Sequence, residues 1–317
     1  MIRAVIAGTG GYLPARSLTN DELAAEFNLD TSDAWISERT GIRRRHMAAP
    51  GESTADMATA ACRAALAQAG AEASEVDAII LATATPDSAF PSTATRVQEK
   101  LGVTRGFSFD ISAACTGFIY AVGVADSMIR AGNCRNVLVV GAEAFTRILD
   151  WTDRGTCVLF GDGAGAVLLR AEDAGCAPNP RGILSTHLHS DGRHGDILQV
   201  EGGLVRMAGR EVFRHAVSKL ASAVDEALAA NGLAKSDVQW LVPHQANLRI
   251  IDAMGRKLGL PPERVVVTVD RHANTSAASI PLALAEAVRD GRIKAGDMVL
   301  MEAIGGGLTW GAALARF

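Results

Sequence analysis

The sequence predicts an α/β protein made of two similar halves, in which strands and helices alternate. Residues 66–70, LAQAG, return 162 positions later as LAANG, and the same spacing aligns SEVDAIILATATP (74–86) with SDVQWLVPHQANL (236–248). In both places an amphipathic helix, over 53–69 and 210–230, ends near glycine and an apolar strand follows. One such match could arise by chance in alanine-rich helices, but several in one order favour a duplication. We expect an N-terminal half at 1–172 and a C-terminal half at 173–317.

The remaining elements of the two halves also correspond. Buried strands are predicted at 107–112 (FSFDIS) and 265–270 (VVVTVD), helices at 116–132 and 279–291, and apolar strands at 136–144 and 297–305. Each half then closes with a glycine-rich turn and a last strand, GDGAGAVLL and GGGLTWGAAL. The alternation indicates largely parallel pairing, and ligand sites of such sheets form at the carboxyl ends of the strands.

Composition limits the class of protein and its partners. Hydrophobic residues are 48% and charged residues 21% of the chain, as in ordinary globular enzymes, and the net charge of −4 gives no reason to expect a nucleic-acid partner. The N-terminal MIRAVIAGTGGYLP is unlike a signal peptide, and no apolar run suits a membrane span. The five cysteines are odd in number and contain no C-x-x-C pair, so we expect neither disulfides nor a metal site, and a cytoplasmic location.

The segment DISAACTGF (110–118) places Cys115 where a strand ends and a helix starts. A thiol there lies near the positive end of the helix dipole and near unpaired N–H groups, both of which stabilise the nucleophilic thiolate. The small neighbours Ala113, Ala114 and Gly117 leave room for a substrate carbonyl. The other four cysteines lack this context and are expected to be inert core residues: Cys62, Cys134, Cys157 and Cys176.

Two segments of the second half strengthen the case for Cys115. In VPHQANLRI (242–250), His244 follows a strand at the equivalent strand end of the repeat. In DRHANTSAAS (270–279), Asn274 stands opposite Cys115 at the repeat-related helix start. A structural histidine and a helix-capping asparagine are the alternative interpretations. Together, however, the three residues predict a thiol, an imidazole and an amide in one cleft.

These motifs resemble the active-site motifs of β-ketoacyl-acyl-carrier-protein synthase III, in the thiolase superfamily. The similarity extends over TSDAWISERTGIRRRH (31–46), WTDRGTCVLFGDGAGAVL (151–168) and GGGLTWGAALARF (305–317). The resemblance implies a thiolase-like fold, internally duplicated and five-layered (αβαβα) with two mixed sheets. It also implies acyl transfer from acyl-CoA to a cysteine, followed by condensation with malonyl-acyl-carrier protein to initiate fatty acid biosynthesis.

The resemblance assigns the catalytic roles. Cys115 would carry the acyl group, and His244 and Asn274 would donate hydrogen bonds to the malonyl thioester oxygen as CO₂ leaves. The backbone N–H groups of Cys115 and Gly306 would form the oxyanion hole. No metal and no cofactor are expected, since the coenzyme A thioester is a substrate.

The resemblance also assigns binding residues. Coenzyme A would contact Thr31, Trp35, Arg39, Arg154, Gly209, Phe213 and Asn247, with Trp35 and Arg154 on either side of the adenine. The acyl pocket would contain Phe90, Leu159, Phe160 and Ile304, with Phe90 supplied by the partner of a homodimer. The carrier protein would dock on Gln245, Ala246, Asn247, Leu248, Arg249, Arg256 and Lys257. Without the resemblance, the charged residues among these would be interpreted as solvated surface groups.

Departures from the common family pattern leave the acyl preference open. Ile304 and Leu308 stand where many relatives have aromatic residues, Ala273 stands where glycine is common, and the stretch 194–209 is shorter than in some relatives.

Three other functions compete with this interpretation of the sequence. A related Cys-His-Asn condensing enzyme of specialised metabolism, of polyketide or quinolone type, fits the same motifs. A nicotinamide-dependent oxidoreductase is suggested by the glycines at 8–11, but Leu13 stands where G-x-G-x-x-G needs glycine. A catalytically dead subunit would lack one of the three reactive residues, and all three are present.

Overall fold

The computed structural model describes residues 1–175 and 179–317. Cys176, expected to be inert, lies outside the described residues. The strands are β1 (Ile2–Tyr12), β2 (Ser17–Thr19), β3 (Arg44–His46), β4 (Ala78–Ala82), β5 (Phe107–Ile111), β6 (Asn136–Glu143), β7 (Gly163–Asp173), β8 (Gly182–Ser190), β9 (Leu198–Glu201), β10 (Leu204–Met207), β11 (Trp240–Pro243), β12 (Met298–Gly305) and β13 (Thr309–Arg316). The helices are α1 (Asn20–Glu26), α2 (Asp33–Thr40), α3 (Thr54–Ala69), α4 (Thr93–Leu101), α5 (Gly117–Arg130), α6 (Gly209–Ala230), α7 (Leu248–Leu258), α8 (Val269–His272) and α9 (Ser279–Arg289).

Two mixed sheets form the framework. The first has the strand order β1-β7-β6-β4-β5 and the second the order β11-β12-β13-β8. β4 pairs in parallel with β5 and β6, and β11 pairs in parallel with β12, but the other neighbours in these sheets are antiparallel. The expectation of largely parallel pairing is therefore wrong. These pairs are antiparallel because no α-helix of the described residues separates β6 from β7 or β12 from β13. Parallel neighbours usually need such a crossover.

Five layers result from the packing of helices on these sheets. The helices α5 and α9 lie between the sheets, where Phe118 and Ile280 share one apolar core with strands of both. The helices α3 and α4 cover the outer face of the first sheet, and α6 and α7 cover the second. The strands of the first sheet come from residues 2–173 and those of the second from 182–316.

Helix ends follow local sequence signals. The helix α3 begins with a capping box, in which the Ser53 side chain accepts from the Asp56 N–H, and it ends at Gly70 in the left-handed conformation. The helix α7 begins after Asn247, whose side chain accepts from the Arg249 N–H. The helices predicted at 53–69, 116–132, 210–230 and 279–291 agree with α3, α5, α6 and α9 to within about two residues.

The segment 265–270, predicted as a strand, is not one. Val265 forms a single bridge with Leu241, and the chain then enters α8. The buried Gln245 side chain explains the difference, because it donates to the Val266 carbonyl and accepts from the Thr268 and Val269 N–H groups. These backbone groups are the ones that would otherwise form hydrogen bonds with a neighbouring strand. Its counterpart β5 is an outer strand and is only half-buried, rather than buried as expected.

In the described part of the chain, none of the helices combines the length and the apolar composition needed to cross a membrane.

The contact between β1 and α3 gives a prediction about stability. A methyl group at Gly10 would overlap the Ala61 carbonyl oxygen of α3. We expect Gly10→Ala to lower the free energy of unfolding by about 1–3 kcal/mol, as overpacking of a tight core does. Urea unfolding measures this. The control is Gly192→Ala, where open space surrounds the site, so a change within about 0.5 kcal/mol is expected. Equal effects of the two substitutions would contradict the prediction.

Candidate active site

A cavity of about 700 Å³ lies between the two halves, at the carboxyl ends of β5, β11 and β12. Cys115, His244 and Asn274 all line it. Each of the three side chains is almost fully buried. The structure thus brings together the thiol, imidazole and amide that the sequence analysis singled out.

Cys115 lies in a tight turn between β5 and α5. The turn is a 3-10 helix, Ala114–Thr116, and α5 begins two residues after the cysteine. The β12 backbone packs directly against it: a side chain at Gly305 would lie 2.7 Å from the Cys115 nitrogen. Only glycine permits this approach.

Burial changes the expected state of the thiol. Cys115 is 4% exposed, and desolvation raises its pKa to about 12. The helix start favours the thiolate, as expected, but the cost of burying the charge is larger. The resting group is a thiol, and its proton must be removed when it attacks a carbonyl.

His244 follows β11 and is neutral. Burial lowers its pKa to about 3. Its Nδ1 lies 2.6 Å from the Ser279 hydroxyl oxygen, which also accepts from the Gln245 N–H. When Ser279 donates its single proton to Nδ1, the imidazole proton resides on Nε2. The ring then presents an N–H donor to the cavity, as a site for developing negative charge requires.

Asn274 is held in one orientation. Its Oδ1 accepts from the Ser276 N–H at 2.8 Å. Because an N–H donor needs an oxygen acceptor, the amide nitrogen is the free end of the side chain. The Asn274 backbone also pairs with the first half, donating to Leu159 O and accepting from the Gly161 N–H. Asn274 therefore caps a turn and also offers an N–H donor to the cavity. The capping interpretation of the sequence and the reactive-amide interpretation are thus compatible.

The glycines of the last turn differ in what they contact. Gly305 is the residue in direct contact with it, while the next residue, Gly306, packs against the Leu198 carbonyl of β9. The oxyanion-hole assignment of Cys115 and Gly306 stays a prediction.

Most of the predicted coenzyme A and acyl residues line the cavity. They are Trp35, Arg39, Gly209, Phe213 and Asn247 for coenzyme A, and Leu159, Phe160 and Ile304 for the acyl group. Thr31 and Arg154 do not line it. The guanidinium groups of Arg39 and Arg154 lie 4.5 and 5.1 Å from the Trp35 ring centroid. An adenine between Trp35 and Arg154 would have to displace Arg154.

The predicted carrier-protein surface needs one correction. Gln245 is fully buried, and its amide makes only internal hydrogen bonds, so it cannot contact a docking protein. Arg249, Arg256 and Lys257 are exposed on α7. Ala246, Asn247 and Leu248 are partly exposed between the cavity and α7.

Phe90 does not line the cavity of its own chain. It is 86% exposed, on the loop that follows β4. Its predicted role would therefore require a second subunit.

Several residues near the site were missed. Leu198 and Met207 of the β9–β10 hairpin and Arg210 of α6 line the cavity. The two hairpin residues belong to the stretch 194–209, which stands out in the sequence only because it is shorter than in some relatives. Ser276, Ser279 and Glu143 lie around the reactive groups. Ser276 and Ser279 stand in the motif DRHANTSAAS, in which the sequence pattern indicates a role for Asn274 alone.

The glycines that suggested nucleotide binding lie in strands. Gly8, Gly10 and Gly11 belong to β1 and pair with β7, and GDGAGA leads into β7 itself. Neither segment is a strand-to-helix turn that could bind a pyrophosphate.

Known proteins are similar to this chain in sequence over its whole length. Family models described as 3-oxoacyl-[acyl-carrier-protein (ACP)] synthase III match residues 109–192, and those of its C-terminal part match 228–317. The beta-ketoacyl-[acyl-carrier-protein] synthase III of Acidiphilium cryptum (strain JF-5) is 65% identical, over all of both chains. The chain belongs to this family.

Solved structures of family members superpose closely. The 3-oxoacyl-[acyl-carrier-protein] synthase III of Aquifex aeolicus VF5 is 49% identical with a TM-score of 0.94, covering 99% of this chain and 100% of that one. The priming beta-ketosynthase from the R1128 polyketide biosynthetic pathway is 37% identical with a TM-score of 0.91, covering 99% and 96%. The thiolase-like fold class is thereby confirmed, and the chain is a condensing enzyme of the acyltransferase type.

The state of His244 can be tested by nitrogen NMR. We expect a neutral ring protonated on Nε2 from pH 8 to pH 5, because burial lowers its pKa to about 3 from about 6.5 in a solvated chain. The same shift makes the native state lose stability as the pH falls below about 6.5, where the unfolded chain binds the proton. Ser279→Ala removes the donor to Nδ1 and should mix the two tautomers. A titration midpoint near 6.5, or a wild-type proton on Nδ1, would show the assignment to be wrong.

Proposed function

We propose that this chain condenses a short acyl-CoA with malonyl-acyl-carrier protein, releasing CO₂ and giving a 3-oxoacyl-acyl-carrier protein. This would be the initiating condensation of fatty acid biosynthesis. The observation that carries the proposal is the meeting of Cys115, His244 and Asn274 in one buried cavity, in a chain closely similar to named synthases of this kind.

In the first step Cys115 attacks the acyl-CoA carbonyl and becomes a thioester. A thioester suits the task because it is activated toward carbon nucleophiles and exchanges readily with thiols. The negative charge on the tetrahedral intermediate would be stabilised by backbone N–H groups at Cys115 and Gly306.

In the second step the malonyl carboxylate leaves as CO₂, and negative charge develops on the thioester oxygen. Two donors would stabilise it: the Nε2–H of His244 and the amide nitrogen of Asn274. Both are fixed by neighbouring hydrogen bonds before the substrate arrives. Preorganised donors of this kind cost no reorganisation during the reaction. The chemistry needs neither metal nor redox cofactor, because the thiol and the donors supply it.

Charge at the cavity mouth supports binding of coenzyme A. Arg39, Arg210 and Arg249 line it, and no carboxylate is among its lining residues in the described chain. Phosphate groups would be attracted to these guanidinium groups.

The inner wall supports a short acyl group, such as acetyl. Phe160 lines the cavity and stacks on Phe145, with ring centroids 4.5 Å apart. Together with Ile304, which also lines the cavity, this aromatic pair offers an apolar wall against which a short acyl chain could pack.

A homodimer would complete the acyl pocket. The exposed Phe90 and the outer strand β5, whose Phe107 and Phe109 are half-buried, are suited to contact a second copy of the chain. A cytoplasmic location fits the four described cysteines, which are free thiols.

The second candidate function is the priming condensation of a specialised pathway. The similarity to the R1128 priming ketosynthase favours it, since the same thiol, imidazole and amide would perform that chemistry. Turnover with acetyl-, butyryl- and branched acyl-CoAs distinguishes the two candidates, and acetyl preference supports initiation of fatty acid synthesis.

The assignment of the three reactive residues is tested by separating the half-reactions. We expect acetyl-CoA to add one acetyl mass to the wild-type chain and none to Cys115→Ala. The variants His244→Ala and Asn274→Ala should still acylate but release CO₂ from malonyl-carrier protein about 10²–10³ times more slowly, as loss of one donor typically costs. Intact-mass spectrometry and CO₂ release measure the two steps. Labelling that survives Cys115→Ala, or normal CO₂ release in both other variants, refutes the assignment.

The docking surface is tested by charge reversal on α7. Arg256→Glu with Lys257→Glu should lower kcat/KM for malonyl-carrier protein at least about tenfold at low salt, with a smaller difference at high salt, because steering of an acidic partner is screened. Neither residue lines the cavity, so acylation by acetyl-CoA should change little. The matched control is Lys294→Glu, since Lys294 is exposed and precedes the opposite end of β12. If the control and the double variant behave alike, docking occurs elsewhere.

A further inference from the structure

Two threonine hydroxyls join the turn that carries Cys115 to the glycine turn, and the steps above do not use them. Thr116 follows the cysteine and is fully buried. Its hydroxyl donates to the Thr309 carbonyl at 3.0 Å, across 193 residues of chain. Thr309 is the first residue of β13 and pairs with Gly305 at the end of the ladder with β12. This bond therefore connects the cysteine turn with the strand that closes the glycine turn, residues 306–308.

The hydroxyl of Thr309 lies between the two turns. Its Oγ1 is 3.1 Å from each of three acceptors, which are the Ala113 carbonyl, the Gly306 carbonyl and the Thr116 hydroxyl oxygen. A hydroxyl has one proton, so it donates to one of them at a time. Donation to Ala113 or Thr116 binds the cysteine turn, and donation to Gly306 fixes the glycine turn. Each arrangement constrains one of the two turns.

The carbonyls that Thr309 reaches adjoin the two predicted oxyanion donors. The Ala113 carbonyl belongs to the peptide group before Ala114, and the next peptide group carries the Cys115 N–H. The N–H and the carbonyl of Gly306 likewise belong to successive peptide groups. Because peptide groups are rigid planes that meet at Cα, the orientation of one limits that of the next. Each predicted donor is therefore one peptide group away from a carbonyl that the Thr309 hydroxyl can hold.

The backbone of the cysteine turn needs such a constraint. Ala114 has a φ of +45°, in the left-handed region, which is costly for alanine and persists only where the surroundings fix it. The neighbouring Ala113 carbonyl accepts from the Thr116 N–H at 3.1 Å and also lies within reach of the Thr309 hydroxyl. Loss of these bonds would let the turn relax and rotate the Cys115 N–H.

We propose that Thr116 and Thr309 are positioning residues for acyl transfer, and that their hydroxyls hold the N–H groups of Cys115 and Gly306 on the acyl carbonyl oxygen. Neither threonine lines the cavity, so both act through the backbone and not by contact with the substrate. The inference rests on the proposed function, because the oxyanion exists only during acyl transfer.

The test compares two reactions of the same thiol at pH 8. Acetyl-CoA acylates Cys115 through a tetrahedral oxyanion, whereas iodoacetamide alkylates it by displacing iodide from a saturated carbon, so no oxyanion forms. Quenched flow with intact mass measures acylation in a single turnover, and peptide mass mapping measures alkylation at Cys115. A substitution that only loosens the site changes both rates, whereas displacement of the oxyanion donors changes acylation alone.

Valine has the shape of threonine without the hydroxyl. We expect Thr116→Val and Thr309→Val to slow acylation at saturating acetyl-CoA at least about tenfold, because a displaced donor loses part of the 10²–10³-fold that one oxyanion donor typically contributes. The acetyl-CoA concentration for half-maximal rate should stay unchanged, as for an interaction made only in the transition state. The alkylation rate should also stay unchanged. Thr116→Ser and Thr309→Ser retain the hydroxyl and should restore the acylation rate.

The matched control is Thr59→Val. Thr59 is buried in α3, and its hydroxyl donates to the Ala55 carbonyl at 2.7 Å. The substitution removes a buried hydroxyl bond away from the cavity, so acylation should follow the wild type. Circular dichroism and thermal unfolding identify variants that do not fold. If one valine variant does not fold, the other and its serine counterpart decide.

The outcomes separate two failures. If the wild-type chain takes up no acetyl mass, the proposed function fails and the inference fails with it. If the wild type acylates, three results overturn the inference alone: folded valine variants that acylate at the wild-type rate, alkylation that slows in parallel with acylation, or serine variants that do not recover.

Discussion

The contact between Gly305 and Cys115 is the constraint on which the site depends. Gly305 ends β12, an inner strand of the second sheet, and Cys115 follows β5, an outer strand of the first, so their contact joins the two halves at the reactive residue. The backbone of residue 305 lies too close to Cys115 to leave space for a side chain, so water cannot reach the cysteine from that side. His244 and Asn274 approach from the same half as Gly305, and Asn274 is bound to the first half through Leu159 and Gly161. The reactive groups are therefore positioned by strand ends and backbone hydrogen bonds rather than by mobile loops.

Burial at this junction determines the protonation states. Desolvation disfavours every charged form, so it raises the pKa of the thiol and lowers that of the imidazole. Both groups are neutral at physiological pH. A neutral imidazole is the useful form here, because its N–H can stabilise a developing oxyanion without first being paired to another charge. The neutral thiol is less useful, since it must lose a proton before it can attack.

The sequence predicted the parts of the fold and site that depend on local or repeated patterns. The end of α3 at Gly70 carries its own signal, and the repeat places Cys115, His244 and Asn274 at facing strand ends. What it did not predict depends on contacts between distant residues. The buried Gln245 amide replaces the ladder that would have made 265–270 a strand, and nothing in an apolar VVVTV run indicates this. Desolvation of Cys115 outweighs its position before a helix, and that balance requires the depth of the cavity. Ser276 and Glu143 are 133 residues apart in the chain, so their proximity to the thiol could not be read from spacing.

Burial of the reactive groups makes the proton of Cys115 a problem for the reaction. Desolvation raises the pKa of the thiol to about 12, so its attack on a carbonyl must be coupled to loss of that proton. The imidazole of His244 is a weak acceptor for it, because burial lowers the pKa of the ring to about 3 and Nδ1 lies 2.6 Å from the Ser279 hydroxyl oxygen. The same desolvation that keeps His244 a neutral hydrogen-bond donor therefore makes it a poor base for the thiol.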